Sequence, residues 1–126
     1  MTTQNFAYPM ANILDQEKIP PQNLEAEMSL LGAILLDKDA MLNVADIVDA
    51  GDFYKNTHRD IFDAMSELYA KNEPIDLLTL GNRLQEKNQL ETIGGRAYLV
   101  ELSNTVPTAS HVVQYAEIVQ RKATLR

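Results

Sequence analysis

The stretch "PPQNLEAEMSLLGAILLD", residues 20–37, decides the fold class. Leu24, Met28, Leu31 and Leu35 recur at steps of four, three and four, which is one face of a helix and not the alternation of a strand. Leu30 and Ile34 widen that face. Pro20-Pro21 sets an extended approach. Asn23 has the side chain of an N-cap, and Glu25 and Glu27 fall where a helix dipole favours acids. A helix that starts this cleanly and carries so broad an apolar stripe needs other helices to cover it.

The same period continues on the C-terminal side. Asp39 is placed to cap a second helix, with Met41, Val44, Ala45 and Val48 on one face and Gly51 as its stop. "DFYKNTHRDIF" (52–62) opens a third, carrying Ile61, Phe62, Met65, Leu68 and Tyr69, and "NEPID" (72–76) breaks it at Pro74. Asp76 caps a fourth helix bearing Leu77, Leu80 and Leu84. A short segment around Leu90 and Ile93 ends at Gly94-Gly95. A helix from about Arg96 to Asn104 then presents Ala97, Tyr98, Leu99 and Leu102. "NTVPT" (104–108) interrupts it, and Thr108 is placed to cap a last helix with Val112, Tyr115, Ala116 and Val119. That helix meets no stop signal in "QRKATLR" (120–126), so it reads as truncated at the chain end. Gly32 and Gly81 lie inside helices, where each costs about 1 kcal/mol against alanine, which points to close helix packing. The expected architecture is all-α: a flexible arm (1–18), a head of about four helices (19–93) and an αα-hairpin (94–126).

Bulk composition narrows the function classes. The chain of 126 residues is 45% apolar, enough for one core, and carries 18 acids against 11 bases for a net charge of −7. Broad nucleic-acid binding draws on phosphate neutralisation, so an acidic domain is not expected to grip DNA by its general surface. The absence of cysteine excludes disulfides and thiolate zinc sites. The N-terminal segment lacks the basic and apolar regions of a signal peptide, and no apolar run approaches a membrane span. The expectation is a soluble, intracellular chain.

The candidate chemistry resolves mostly into structure. Thr57, His58, Arg59 and Asp60 stand in a row between aromatic residues, and a catalytic reading needs His58 to meet Asp60. Residues two apart on a helix point to different sides, so the row reads as a helix start, with Thr57 and Asp60 as a capping box and Asn56 as a rival cap. His111 is the other histidine, far away in sequence. Glu25 and Glu27 could form an acid pair, but dipole-compensating acids are the stronger reading. No glycine falls in G-x-x-x-x-G-K-[ST] or G-x-G-x-x-G, so no nucleotide-phosphate loop is present. Arg121, Lys122 and Arg126 read as a solvated last turn, with contact to an acidic partner or a neighbouring subunit as the sharper alternative. No residue is assigned to catalysis, to a cofactor or to a metal.

Four segments in order, 20–37, "DFYKNTHRDIFDAM" (52–65), "PIDLLTLGNRL" (74–84) and "GGRAYLVELSNTVPTASHVVQYAEIVQRKATLR" (94–126), resemble the N-terminal domain of replicative DNA helicases of the DnaB type. The resemblance covers about residues 19–126. It implies a parent that is a hexameric, ATP-dependent DNA helicase and ATP hydrolase, whose RecA-like motor, with its ATP, Mg²⁺ and DNA contacts, lies outside this chain. It implies a collar that associates with neighbouring subunits, docks the helicase-binding domain of primase and is open to a helicase loader. Within matching segments, Glu25 and Tyr98 are expected partner contacts. Val112, Tyr115, Ala116 and Val119 need a covering surface that the head, downstream chain or another subunit could supply, and the resemblance points to another subunit. The competing readings are a stand-alone all-α adaptor without a motor, and a small hydrolase built on scattered carboxylates, for which the residues offer no basis.

Overall fold

The computed structural model describes residues 19–126. These form six α-helices, α1 (Leu24–Leu36), α2 (Ala40–Val44), α3 (Asn56–Ala70), α4 (Leu77–Glu86), α5 (Gly95–Ser103) and α6 (Val112–Leu125), with a 3₁₀ turn at Ala50–Asp52. No strand occurs among the described residues. The arm expected at 1–18 lies outside them.

Helix α1 is the axis of the domain. It packs against α2, α3, α5 and α6, while α3 also packs on α4, and α4 on α5. Its buried surface is wider than one amphipathic stripe: Leu30, Leu31, Ala33 and Ile34 are consecutive or nearly so, yet none is more than 1% exposed. Leu24, placed on the core face by periodicity, is 37% exposed. A helix surrounded on several sides buries most of its circumference, and a single stripe no longer describes it. Close approach to α5 depends on Gly32, where a Cβ would collide with the Leu102 backbone carbonyl.

Several element boundaries follow signals other than those expected. Asn23 caps α1, accepting from the Ala26 N–H at 2.9 Å. Asp76 caps α4 through a reciprocal box with Thr79. Asp39, by contrast, occupies the N-cap position of α2 but makes no side-chain cap bond there. Helix α2 stops at Val44, short of Gly51, which falls in the 3₁₀ turn. Helix α3 ends before Pro74 is reached. Asn72 adopts φ 58°, and Glu73 N–H bonds the Leu68 carbonyl. Asn88 ends α4 in the same way, with φ 58° and Gln89 N–H on the Leu84 carbonyl. Asparagine tolerates this left-handed cap because its short polar side chain offsets the Cβ penalty. Thr108 caps no helix: it binds Ser110 within the loop, and α6 starts three residues later than expected, with His111 in the N-cap position.

The largest departure concerns the hairpin. Helix α6 is not set apart from the head; it lies along α1 and also contacts α2 and the 3₁₀ turn. Val112, Ala116 and Val119 are buried in the same core as Leu31 and Ile61. The apolar face that seemed to lack a partner is covered by the chain's own first helix.

Candidate functional site

The most unusual chemistry of the domain is buried. His58 is fully buried and Glu27 is 1% exposed. Imidazole Nδ1 lies 2.8 Å from Glu27 Oε1, and Nε2 lies 2.6 Å from the Tyr98 hydroxyl. The three residues come from α3, α1 and α5. With the ring proton on Nδ1, His58 donates to the Glu27 carboxylate and accepts from Tyr98 at Nε2. The Tyr98 ring stacks near His58 at 15° between planes, and the Phe53 ring meets the imidazole edge-on.

Glu27 also satisfies the chain entering α3. Its Oε2 accepts the Tyr54 N–H at 2.6 Å, and Oε1 receives a longer bond of 3.4 Å from the Lys55 N–H. This cross-chain carboxylate replaces the capping box expected from Thr57 and Asp60. The N-cap of α3 is Lys55, without a side-chain cap bond, and the buried Thr57 Oγ1 has no hydrogen-bond partner. A buried carboxylate is tolerable only when its lone pairs are met, and here three donors from distant positions meet them.

Tyr98 is the surface end of this chain. It is partly buried, and the Lys55 ammonium sits 5.4 Å above its ring centroid. Burial, then the charges of Glu101 and Glu27, push its phenol above the usual tyrosine range. His58 and Glu27 are almost wholly shielded from solvent, and a surface cleft lies apart from them, at the far end of α1 beside Leu36, Asp37, Pro107 and Val113. Among the described residues no group of three His, Asp or Glu is placed to hold a metal ion. No helix among them is long and apolar enough to cross a membrane.

The other expected site residues separate. Glu25 is exposed on the first turn of α1, on a different side from the buried Glu27, so the two do not form a pair. Tyr115 is half-buried, with His111 edge-on to its ring at 6.4 Å. Val112, Ala116 and Val119 are buried in the chain's own core. Arg126 is exposed, as its reading as part of a solvated last turn expects, and it also donates to the carbonyls of Pro21 and Asp52. A second polar cluster joins α3 to α4. Glu67 Oε1 lies 2.9 Å from Arg83 Nε and 3.0 Å from Lys87 Nζ, and Lys87 also reaches Asp63 at 3.2 Å. Burial pushes the Glu67 carboxyl up, but hydrogen bonds and charge from Arg83 and Lys87 outweigh it and hold the group below its ordinary value.

Sequence reading missed the pairing of His58 with Glu27 and Tyr98 because the partners are 31 and 40 residues away. The available signal was Glu27 itself, an acid standing between Ala26 and Leu30 in a helix otherwise rich in apolar residues.

Comparison with known proteins accords with the geometry. Residues 19–121 match the DnaB-like helicase N terminal domain family. The replicative DNA helicase DnaB of Geobacillus stearothermophilus is 46% identical over 113 residues, 90% of this chain and 25% of that protein. The replicative DNA helicase DnaC of Bacillus subtilis (strain 168) is 40% identical over 117 residues, 93% of this chain and 26% of that protein. The chain thus spans about a quarter of the length of these curated relatives. Among solved structures, the crystal structure of the N-terminal domain of DnaB helicase from Mycobacterium tuberculosis superposes with a TM-score of 0.84 at 45% identity, covering 86% of this chain and 77% of that one. A DnaB-like replicative helicase, described with its interactions with primase, gives a TM-score of 0.72 at 26% identity, covering 80% of this chain and 24% of that one. With the family model spanning most of the chain and the helical fold reproduced in a solved member, this chain belongs to the DnaB-like helicase N-terminal domain family.

Proposed function

We propose that the domain is a collar of a replicative DNA helicase, which associates with copies of itself in a hexameric ring and docks the helicase-binding domain of primase. The observation that carries this reading is the likeness to the solved DnaB-like helicase described with its interactions with primase. The acidic balance, net −7, suits a protein-contacting module better than one that grips DNA. In this reading ATP, Mg²⁺ and DNA are bound by a motor domain attached to the collar, ATP hydrolysis belongs to that motor, and a loader is a further partner. The reading places the work at the replication fork, in the bacterial cytoplasm. Glu25 and the exposed edge of Tyr98 remain contact candidates. Self-association belongs to outward-facing residues such as Leu42, Leu78 and Val100, since Val112, Ala116 and Val119 are committed to the core.

Calorimetric titration of this chain with the helicase-binding domain of primase from the same organism tests docking, and sedimentation across a concentration series tests self-association. Saturable 1:1 or 2:1 binding and a rise in mass with concentration are expected. Absence of heat at high micromolar concentration would overturn docking, and a constant monomer would overturn self-association by this domain alone.

A further inference from the structure

Arg126 makes contacts that an ordinary solvated arginine does not. Its Nη1 donates to the Pro21 carbonyl at 3.0 Å and its Nη2 to the Asp52 carbonyl at 2.7 Å. Its guanidinium also lies 5.6 Å from the Tyr54 ring centroid. These partners are 105 and 74 residues away by hydrogen bond. The planar fork of arginine can bridge two carbonyls while stacking on an aromatic face, which a lysine ammonium does not do.

The segment so gripped is the one on which the buried network depends. Residues 52–55 join the 3₁₀ turn, which Asp52 closes, to α3, whose N-cap is Lys55. They are anchored by the buried Phe53 ring, by Arg59 Nε on the Phe53 carbonyl at 2.6 Å, and by Glu27 accepting the Tyr54 and Lys55 N–H groups. Arg126, directly after α6, adds a side-chain hold on Asp52 and Tyr54. A continuous run of contacts therefore leads from the last turn of α6 through Asp52 and Tyr54 to Glu27, His58 and Tyr98.

We propose that Arg126 is a latch: it fastens α6, at this point of its course, to the entry of α1 and to the 52–55 turn, so that the position of α6 there sets the order of that turn. With the latch closed, the Tyr54 and Lys55 amides stay on Glu27. With it open, the turn frays while the helices stay packed, because the core residues of α1, α3 and α6 do not depend on the guanidinium. Local opening of this kind draws on few contacts and needs no global unfolding.

The experiment is amide hydrogen exchange by NMR on the 126-residue chain, comparing Arg126→Ala with Arg121→Ala, an exposed arginine of the same helix. In Arg126→Ala the Tyr54 and Lys55 amides should exchange roughly tenfold faster or more, the factor expected when a hydrogen bond from a charged donor is lost from a locally opening segment. Amides of Ile61–Leu68 should be unchanged. Arg126→Lys should give a partial effect and Arg121→Ala none. Unchanged exchange at Tyr54 and Lys55 in Arg126→Ala would overturn the latch. So would a uniform acceleration that includes Ile61–Leu68, which marks a general stability contribution. An equal effect from Arg121→Ala would overturn it too, by tracing the change to helix charge.

Discussion

His58 shows how one side chain can look like chemistry and serve architecture. Both ring nitrogens are occupied, one by Glu27 and one by Tyr98, and the ring is sealed from water. Removing it strands a buried carboxylate. His58→Ala is expected to destabilise by roughly 3 kcal/mol, the low end for breaking a buried pair because two backbone amides still hold Glu27. Tyr98→Phe removes one hydrogen bond at the edge and should cost about 1 kcal/mol. Urea denaturation of both variants checks the order, and a His58→Ala chain as stable as the parent would refute a structural role for the network. The two helical glycines provide a second contrast. An added methyl at Gly32 meets the Leu102 backbone, whereas at Gly81 it meets the guanidinium of Arg96, the far end of a flexible side chain. Gly32→Ala should therefore destabilise by about 1–3 kcal/mol through overpacking. Gly81→Ala should lie near neutral, because Arg96 can swing aside and alanine favours the helix. Thermal melts of the pair measure the difference.

At the scale of elements, the joints are held by different means. Helix α1 meets α5 by backbone proximity at Gly32 and by the Glu27–His58–Tyr98 chain through α3. Helices α3 and α4 pack on each other and are also joined by the half-exposed cluster of Glu67, Arg83 and Lys87. That cluster carries a pH dependence whose sign follows from the lowered Glu67 pKa. The folded state binds the Glu67 proton less tightly than the unfolded chain does. The contribution is therefore fully present above the ordinary carboxylate range and is lost as pH falls through the folded value. Because the cluster is partly solvated, the contribution is at most about 1 kcal/mol. Melting temperatures of the parent and Glu67→Gln should differ at pH 7 and converge toward pH 3. A gap that stays constant with pH would show that the charge of Glu67 is not the cause.

For the whole molecule, the decisive fact is that α6 completes the core rather than extending from it. An aspartate at a surface contact between subunits would release a folded monomer. An aspartate in place of Val112, which is 4% exposed, instead buries an unpaired charge. Val112→Asp should lose more than roughly 3 kcal/mol and unfold much of the population, seen as a loss of helical circular dichroism at 25 °C. A well-folded Val112→Asp chain would return this face to the list of intersubunit surfaces. Leu42 and Leu78, each 65% exposed, can accept charge without that penalty, and so are the positions at which association is separable from folding.

By itself the sequence determined the helical class, the order of the elements and the caps that act within one turn, at Asn23 and Asp76. Those features depend on residues three or four positions apart, and local backbone chemistry settles them. The likeness of its segments to a helicase N-terminal domain was legible for the same reason, since order and spacing are properties of the chain. Only the tertiary structure decided which helix lay at the centre, why Thr57 caps nothing, and where His58, Glu27 and Arg126 find their partners. Periodicity states that a face is apolar but not what covers it, so the inward face of α6 was indistinguishable from an interface until α1 was seen against it. A buried polar group is satisfied by whatever donors the fold brings within 3 Å or so, and for Glu27 those donors lie roughly thirty residues away along the chain.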